Sequence, residues 1–374
     1  MGKELRPLFC LIAACSLITV AAGTPRAESP ACVPVILDTD ICEDCDDVAS
    51  LAMLHALESR GQCRLLAVTV SANHPQGAPF VDCVNTFYGR PDLPIGVVRQ
   101  GGVEGKSVYL KLADERDDGA LRYPHDLLDG TDAPDAVTVL RKTLAAAEDG
   151  SVVIIQVGFS TNLARLLDSP ADAASPLPGV ELVAKKVRLL ELMGGAFQPI
   201  GGNAAYAEYN IVRDRAAAAA VAARWPTETV WSGFEIGIAV PYPSRSILED
   251  YRDVPHHPVA EAYRIHSPPP QDRPSWDLTS VLDAVLGDRG YFDRSPPGRV
   301  TVTDTGATPF TPDAAGKHRY LILRDAAARA RVIEALVQLA SQPSARSESD
   351  DGQPREGQPR EHQPHEHQPH EHQP

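Results

Sequence analysis

The chain reads as a single-domain α/β protein with a mostly parallel central sheet flanked by helices, a Rossmann-like arrangement. Three observations predict that class. Between about residues 34 and 340, short β-branched runs alternate with segments of helical periodicity, the pattern of a parallel sheet covered on both faces. No linker-like stretch interrupts that region, and 374 residues at 43% hydrophobic and 23% charged can bury one large core. Composition and the lack of long apolar runs exclude collagen, coiled coil and a multi-span membrane protein.

The elements follow in order. VPVILDTD (33–40) is a buried-strand pattern ending in acids, and DDVASLAMLHALESR (46–60) has helical periodicity. RLLAVTVSA (64–72) and LPIGVV (93–98) are the next strands. A helix over 133–149 precedes the strand SVVIIQVG (151–158), and another helix opens at Thr161. KKVRLLELMGG (185–195) reads as a strand, the alanine-rich 213–225 as a helix and TETVWSG (227–233) as a strand. The helix 275–287, the strand 319–324 and a closing helix over 325–341 complete the domain, which spans 31–341.

Both ends read as lying outside the fold. Lys3 and Arg6, an apolar run from Leu8 to Ala22 and small residues after it have the layout of an export signal over 1–28, with Val20 and Ala22 placed as a cleavage pair. An uncleaved anchor is the alternative, but the run is short for a span. Ile12-Ala13-Ala14-Cys15 resembles a lipobox, the minority reading of lipoprotein anchoring. The expected location is periplasmic or extracellular. The segment 342–374 repeats Gln-Pro-x-Glu-x, has nothing apolar to bury and reads as disordered. Five of the 12 histidines lie in it, which leaves weak transition-metal binding open beside a plain solvated tail.

Of seven cysteines, Cys32, Cys42, Cys45, Cys63 and Cys83 remain after export, an odd number that leaves at least one thiol free or bridged between chains. Cys42 and Cys45 form a C-x-x-C inside an acidic loop, outside any thioredoxin-like context. With 50 Asp and Glu against 35 Lys and Arg, the formal net charge is −15. That balance argues against nucleic acid as a partner, because binding it rests on Lys and Arg.

Ligands of parallel sheets bind at the carboxyl ends of strands. The first strand ends in Asp38-Thr39-Asp40-Ile41-Cys42-Glu43-Asp44-Cys45-Asp46-Asp47, six acids in ten residues. Helix capping explains one or two of them. The rest repel one another unless a cation holds them, and hard cations such as Ca²⁺ take several oxygen ligands. The order is not that of an EF-hand, and Cys42 and the Asp46-Asp47 pair do not fit a phosphatase of the haloacid dehalogenase type. Later strand ends lead to Asn73, to Ser160-Thr161-Asn162, to Asn203 and to Glu208-Tyr209-Asn210, and Trp276-Asp277 opens a late helix. Such side chains suit a polyhydroxylated ligand, whose hydroxyls need both donors and acceptors.

In these motifs the chain resembles the inosine–uridine-preferring nucleoside hydrolase family. The family's opening Asp-x-Asp and later Asp-Asp match Asp38, Asp40, Asp46 and Asp47 with a longer turn; its Leu-Thr-Asn matches Ser160-Thr161-Asn162, and its late Asp matches Asp277. Its Asn followed by Glu-aromatic-Asn matches Asn203 and Glu208-Tyr209-Asn210. The resemblance implies that Asp40, Asp47, the Thr161 carbonyl and Asp277 hold Ca²⁺, and that Asp40 takes the proton of a metal-bound water. It implies that Asp46, Asn203, Glu208, Asn210 and Asp277 grip the ribose hydroxyls, with Asn73 beside them. Two positions depart from the family pattern. Cys42 stands where the turn usually has Gly, which tolerates positive φ. Trp276 replaces a His that serves many members as leaving-group acid; an indole can stack on a base but not protonate it. His125 and Tyr123 are the sequence's other candidates for that acid.

The resulting expectation is an exported, Ca²⁺-dependent hydrolase of the N-glycosidic bond of a small nucleoside or riboside, with a homo-oligomer left open. The alternatives are a catalytically weak riboside-binding protein of the same fold and a hydrolase of another glycoside.

Overall fold

In the computed structural model, which describes Gly2 and residues 32–344, the β-branched runs assemble into one large sheet. Its strands are β1 (Val33–Thr39), β2 (Cys63–Val70), β3 (Ile95–Val97), β4 (Val152–Gln156), β5 (Val187–Met193), β6 (Glu228–Ser232), β7 (Asp293–Arg294), β8 (Gly298–Val300), β9 (Phe310–Pro312) and β10 (His318–Ile322). They lie in the order β9-β8-β10-β6-β5-β4-β1-β2-β3, with β7 on β10. From β10 across to β3 every neighbouring pair is parallel. The pairings made by β7, β8 and β9 are antiparallel and cap one side.

The helices are α1 (Asp46–Ser59), α2 (Gly77–Phe87), α3 (Ala136–Ala146), α4 (Thr161–Asp168), α5 (Gly179–Lys186), α6 (Tyr209–Arg213), α7 (Arg215–Arg224), α8 (Phe234–Ala239), α9 (Ser244–Glu249), α10 (Pro258–His266), α11 (Trp276–Leu286) and α12 (Ala326–Ala340). The period-2 alternation of the strands divides the core into two layers. Val35 and Leu37 of β1 face one layer with Leu54 of α1, Leu282 of α11 and Leu336 of α12. Ile36 faces the other with Leu140 of α3, Leu163 of α4 and Val221 of α7.

The chain lays β1, β2 and β3 outward in one direction and β4, β5 and β6 in the other. The reversal falls between β1 and β4, which are neighbours in register from Val35 with Val153 to Asp38 with Gln156. A crevice opens at the carboxyl ends where the winding reverses. It is bordered by the acidic loop after β1 and the turn after β4.

The structure departs from the sequence expectation in several places. Lys185 and Lys186 end α5 rather than open a strand, and β5 begins at Val187; two cations suit the negative end of a helix. The helical run 213–225 breaks at Asp214, whose backbone (φ −131°, ψ 44°) separates α6 from α7. The sequence reading did not anticipate the helices α5, α8, α9 and α10, the short strands β7, β8 and β9, or α2, which contains Gly77 and Pro79. Pro79 sits in the first helical turn, where its missing N–H has no helical partner to lose. The export signal (Gly2 apart) and residues 345–374 of the repeat tail lie outside the described residues.

Candidate active site

The floor of the crevice is built by the turn after β1. Ile41 adopts positive φ (+23°), a costly conformation for a β-branched residue, and its N–H donates to Asp47 Oδ1 at 3.2 Å. The Thr39 hydroxyl donates to the same carboxylate. Tyr109, from outside the loop, sets its hydroxyl against the carbonyls of Ile41 (2.7 Å) and Asp44 (2.5 Å). The strained residue is therefore Ile41, not Cys42 at the position expected to want glycine. Gly158, after β4, lets the two strand ends approach: a Cβ there would lie 2.4 Å from the Asp40 nitrogen.

Three of the six clustered acids face this floor. Asp40, Asp46 and Asp47 line the pocket together with Asp277, the second residue of α11. Carboxylate oxygens of Asp46, Asp47 and Asp277 lie within 4.8 Å of one another. Asp46 Oδ2 also accepts the N–H groups of Trp276 (2.9 Å) and Asp277 (3.1 Å), so it caps α11 and draws the late Asp into the cluster. The other three acids have separate tasks. Asp38 lies beneath, accepting from Thr69 (2.5 Å) and Asn162 (2.8 Å). Glu43 stands at the rim, where it accepts from Tyr209 at 3.0 Å. Asp44 accepts from Arg273 Nε at 3.1 Å and is bound a second time by Arg273 Nη2.

Burial and mutual repulsion hold protons on the floor carboxyls. Burial, then Asp47, Glu43 and Asp46, raises Asp40 well above the carboxylate range. Asp46 and Asp277 are raised for the same reasons. Asp47 is pushed up to about 7 by burial, against the opposing hydrogen bond from Thr39. An all-oxygen, mutually repelling donor set of this kind could hold a divalent metal ion.

The walls come from the later strand ends. Glu208 is buried and accepts the N–H groups of Asn210 (2.9 Å), Ile211 (3.2 Å) and Gly195 (3.2 Å). Burial outweighs those bonds and raises its carboxyl to about 7. Asn210 donates to the Val157 carbonyl at 3.1 Å, and both residues line the pocket. Opposite them stand Phe234 and Trp276, with ring centroids 5.2 Å apart. The Trp276 indole N–H donates to the Phe234 carbonyl at 3.0 Å.

Five expected residues are not among those lining the pocket. Thr161 opens α4 and its hydroxyl donates to Asp214 at 2.7 Å; Val157, just past the end of β4, is the residue of this turn that lines the pocket. Asn203 is exposed in a turn and accepts from the Ala205 N–H at 3.0 Å. Asn73 is exposed and donates to Glu104 at 2.6 Å. Tyr123 is tied to Glu261 (2.6 Å) and His125 to the Tyr123 carbonyl (2.6 Å). The sequence reading missed Val157, Phe234 and Arg273. Position after a strand marks Val157 and Phe234; nothing local marks Arg273.

The model of the inosine-uridine preferring nucleoside hydrolase family matches residues 35–256, more than half of the chain. The chain belongs to this family. It is accordingly a hydrolase acting on N-glycosyl compounds. Asp277 lies beyond the matched segment and is joined to the site by its place in the pocket. An inosine-uridine preferring nucleoside hydrolase from Bacillus anthracis shares the fold at TM-score 0.61 and 17% identity, over 83% of this chain and 99% of that one. A purine-preferring ribonucleoside hydrolase from Gardnerella vaginalis does so at TM-score 0.60 and 17% identity, over 82% and 99%. The type III effector protein XopQ, solved with adenosine diphosphate ribose, aligns at TM-score 0.61 and 16% identity, over 86% and 96%. No curated protein sequence matches the chain.

Proposed function

We propose that this nucleoside hydrolase-family chain is an exported, Ca²⁺-dependent enzyme that cleaves ribonucleosides to free base and ribose. The observation that carries the reading is the buried convergence of Asp40, Asp46, Asp47 and Asp277 at the β1–β4 switch point. Asp40, Asp47, Asp277 and the Val157 carbonyl would hold the ion, with Val157 in the place expected for Thr161. When bound, Ca²⁺ supplies a Lewis acid that acidifies a water and orients the ribose diol.

The chain's own residues do the rest. Asp40 takes the proton of the attacking water. Asn210 and Glu208 flank the ribose hydroxyls, the latter as acceptor. Asp46 holds α11 in place and adds negative charge beside the sugar. The floor carboxylates stabilise the oxocarbenium-like ring as the bond to the base breaks.

The test is ribose release from inosine, uridine and adenosine by chelator-treated protein, with and without added Ca²⁺. Restored turnover with Ca²⁺, and its loss by about 10²–10⁴-fold in Asp40→Ala, is the expected result. Calcium binding without release from any nucleoside would favour a second reading, a riboside-binding protein or a hydrolase of another glycoside. Among the described residues that line the pocket there is no histidine, which favours that second reading. So does the complex of XopQ with adenosine diphosphate ribose.

A further inference from the structure

We propose that Arg273 stabilises the departing base, its guanidinium donating to an acceptor atom of an aromatic aglycone seated against Phe234 and Trp276. The inference rests on the ribonucleoside reading above and extends it to the leaving group. When the bond from C1′ to nitrogen breaks, its electron pair stays on the base, so negative charge builds there unless a proton or a cation meets it.

The pocket answers that demand at one point. Among the described residues that line it, Arg273 is the single cation, facing seven carboxylates. Beside the aromatic wall the other side-chain N–H and O–H groups are committed or unsuited, and His266, outside the lining, is held against the Glu43 carbonyl at 3.2 Å. The indole N–H of Trp276 is spent on the Phe234 carbonyl. The Tyr209 hydroxyl donates to Glu43 at 3.0 Å, and burial and Glu43 push it up to about 12.

The orientation of Arg273 is fixed for this task. Its hydrogen bonds to Asp44 run through Nε and Nη2, and its carbon stands 5.5 Å from the centroid of the Trp276 ring. A planar fork held on one edge presents its remaining edge, Nη1, in a set direction. The guanidinium so held stands over the Trp276 ring, where the oxygen or ring nitrogen of a purine seated on the aromatic wall would be met. Asp44 is then a positioning residue, which explains why one acid of the cluster turns away from the floor. No proton need pass from Arg273. Water adds its oxygen to C1′, its proton goes to Asp40, the electron pair goes to the base nitrogen, and the base collects a proton from solvent after release.

The experiment compares Arg273→Gln with the wild type on inosine and on p-nitrophenyl riboside, whose phenolate leaves unaided. The inference expects kcat on inosine to fall by about 100-fold, while kcat on p-nitrophenyl riboside changes by less than about 3-fold. A merely structural role would lower both together, and that parallel loss overturns the inference, as does undiminished inosine cleavage. If Arg273→Gln melts early, Arg273→Lys carries the same comparison, because it keeps a cation beside Asp44 but loses the planar fork. A wild type inert toward both substrates would instead overturn the ribonucleoside reading beneath it.

Discussion

At the scale of residues, the acidic loop shows how one sequence cluster is divided by its surroundings. Asp38 faces Thr69 and Asn162, Asp44 faces Arg273, Glu43 faces Tyr209, and only Asp40, Asp46 and Asp47 reach the floor beside Asp277. Those floor carboxyls bind protons more tightly than ordinary carboxylates, because burial and one another's charge oppose ionisation. A divalent cation needs them ionised. Its binding should therefore release protons near neutral pH, and its affinity should rise with pH through the region around 7 where Asp47 ionises. Titration calorimetry with Ca²⁺ in two buffers of different ionisation enthalpy reads the proton release directly. Equal heats in both buffers would contradict it.

At the scale of elements, the site depends on how closely the ends of β1 and β4 approach. Gly158 leaves no room for a side chain against the Asp40 nitrogen and the Ser71 hydroxyl, at 2.4 and 2.6 Å from a would-be Cβ. Gly158→Ala should cost about 1–3 kcal/mol of stability, because the nearer neighbour is backbone and cannot swing aside. It should also weaken Ca²⁺ binding, since Asp40 must move. The urea midpoint and a calcium titration measure the two effects, and an unchanged midpoint would refute the packing argument. Helix α11 supplies the complementary device. Asp46 accepts both of its first two N–H groups, so the element that carries Asp277 is anchored by another acid of the same floor.

At the scale of the whole molecule, one buried charge group lies between the sheet and α11, away from the pocket. Glu191 of β5 is fully buried, and burial and the Asp283 carboxyl raise it well above its ordinary value. Arg294 pairs with Asp283 at 2.6 Å. A raised carboxyl means that the folded chain holds this proton more tightly than the unfolded chain. Its contribution to stability therefore falls as pH climbs above the ordinary Glu value of about 4.3. Glu191→Gln should remove that loss. The wild type's urea midpoint should drop from pH 5 to pH 8 by more than the variant's, and the variant should gain about 1–3 kcal/mol over the wild type at pH 8. Parallel pH profiles would show that Glu191 ionises freely in the fold.

The sequence by itself determined the α/β class, the strand that ends in acids and the identity of Asp40, Asp46, Asp47, Glu208, Asn210, Trp276 and Asp277 as candidates. Periodicity and strand-end position are local properties, and each of these residues stands at an element's end. The tertiary structure decided which candidates converge. Asn73 and Asn203 also sit at element ends, yet their side chains are held by Glu104 and by the Ala205 N–H, and after β4 it is Val157 rather than Thr161 that lines the pocket. Val157, Phe234 and Arg273 enter the site because strands distant in sequence are wound outward from one switch point. Arg273 meets Asp44 across 229 residues of chain, a separation at which no spacing rule operates. What brings them together is the burial of two apolar layers against one sheet, and that is a property of the fold as a whole.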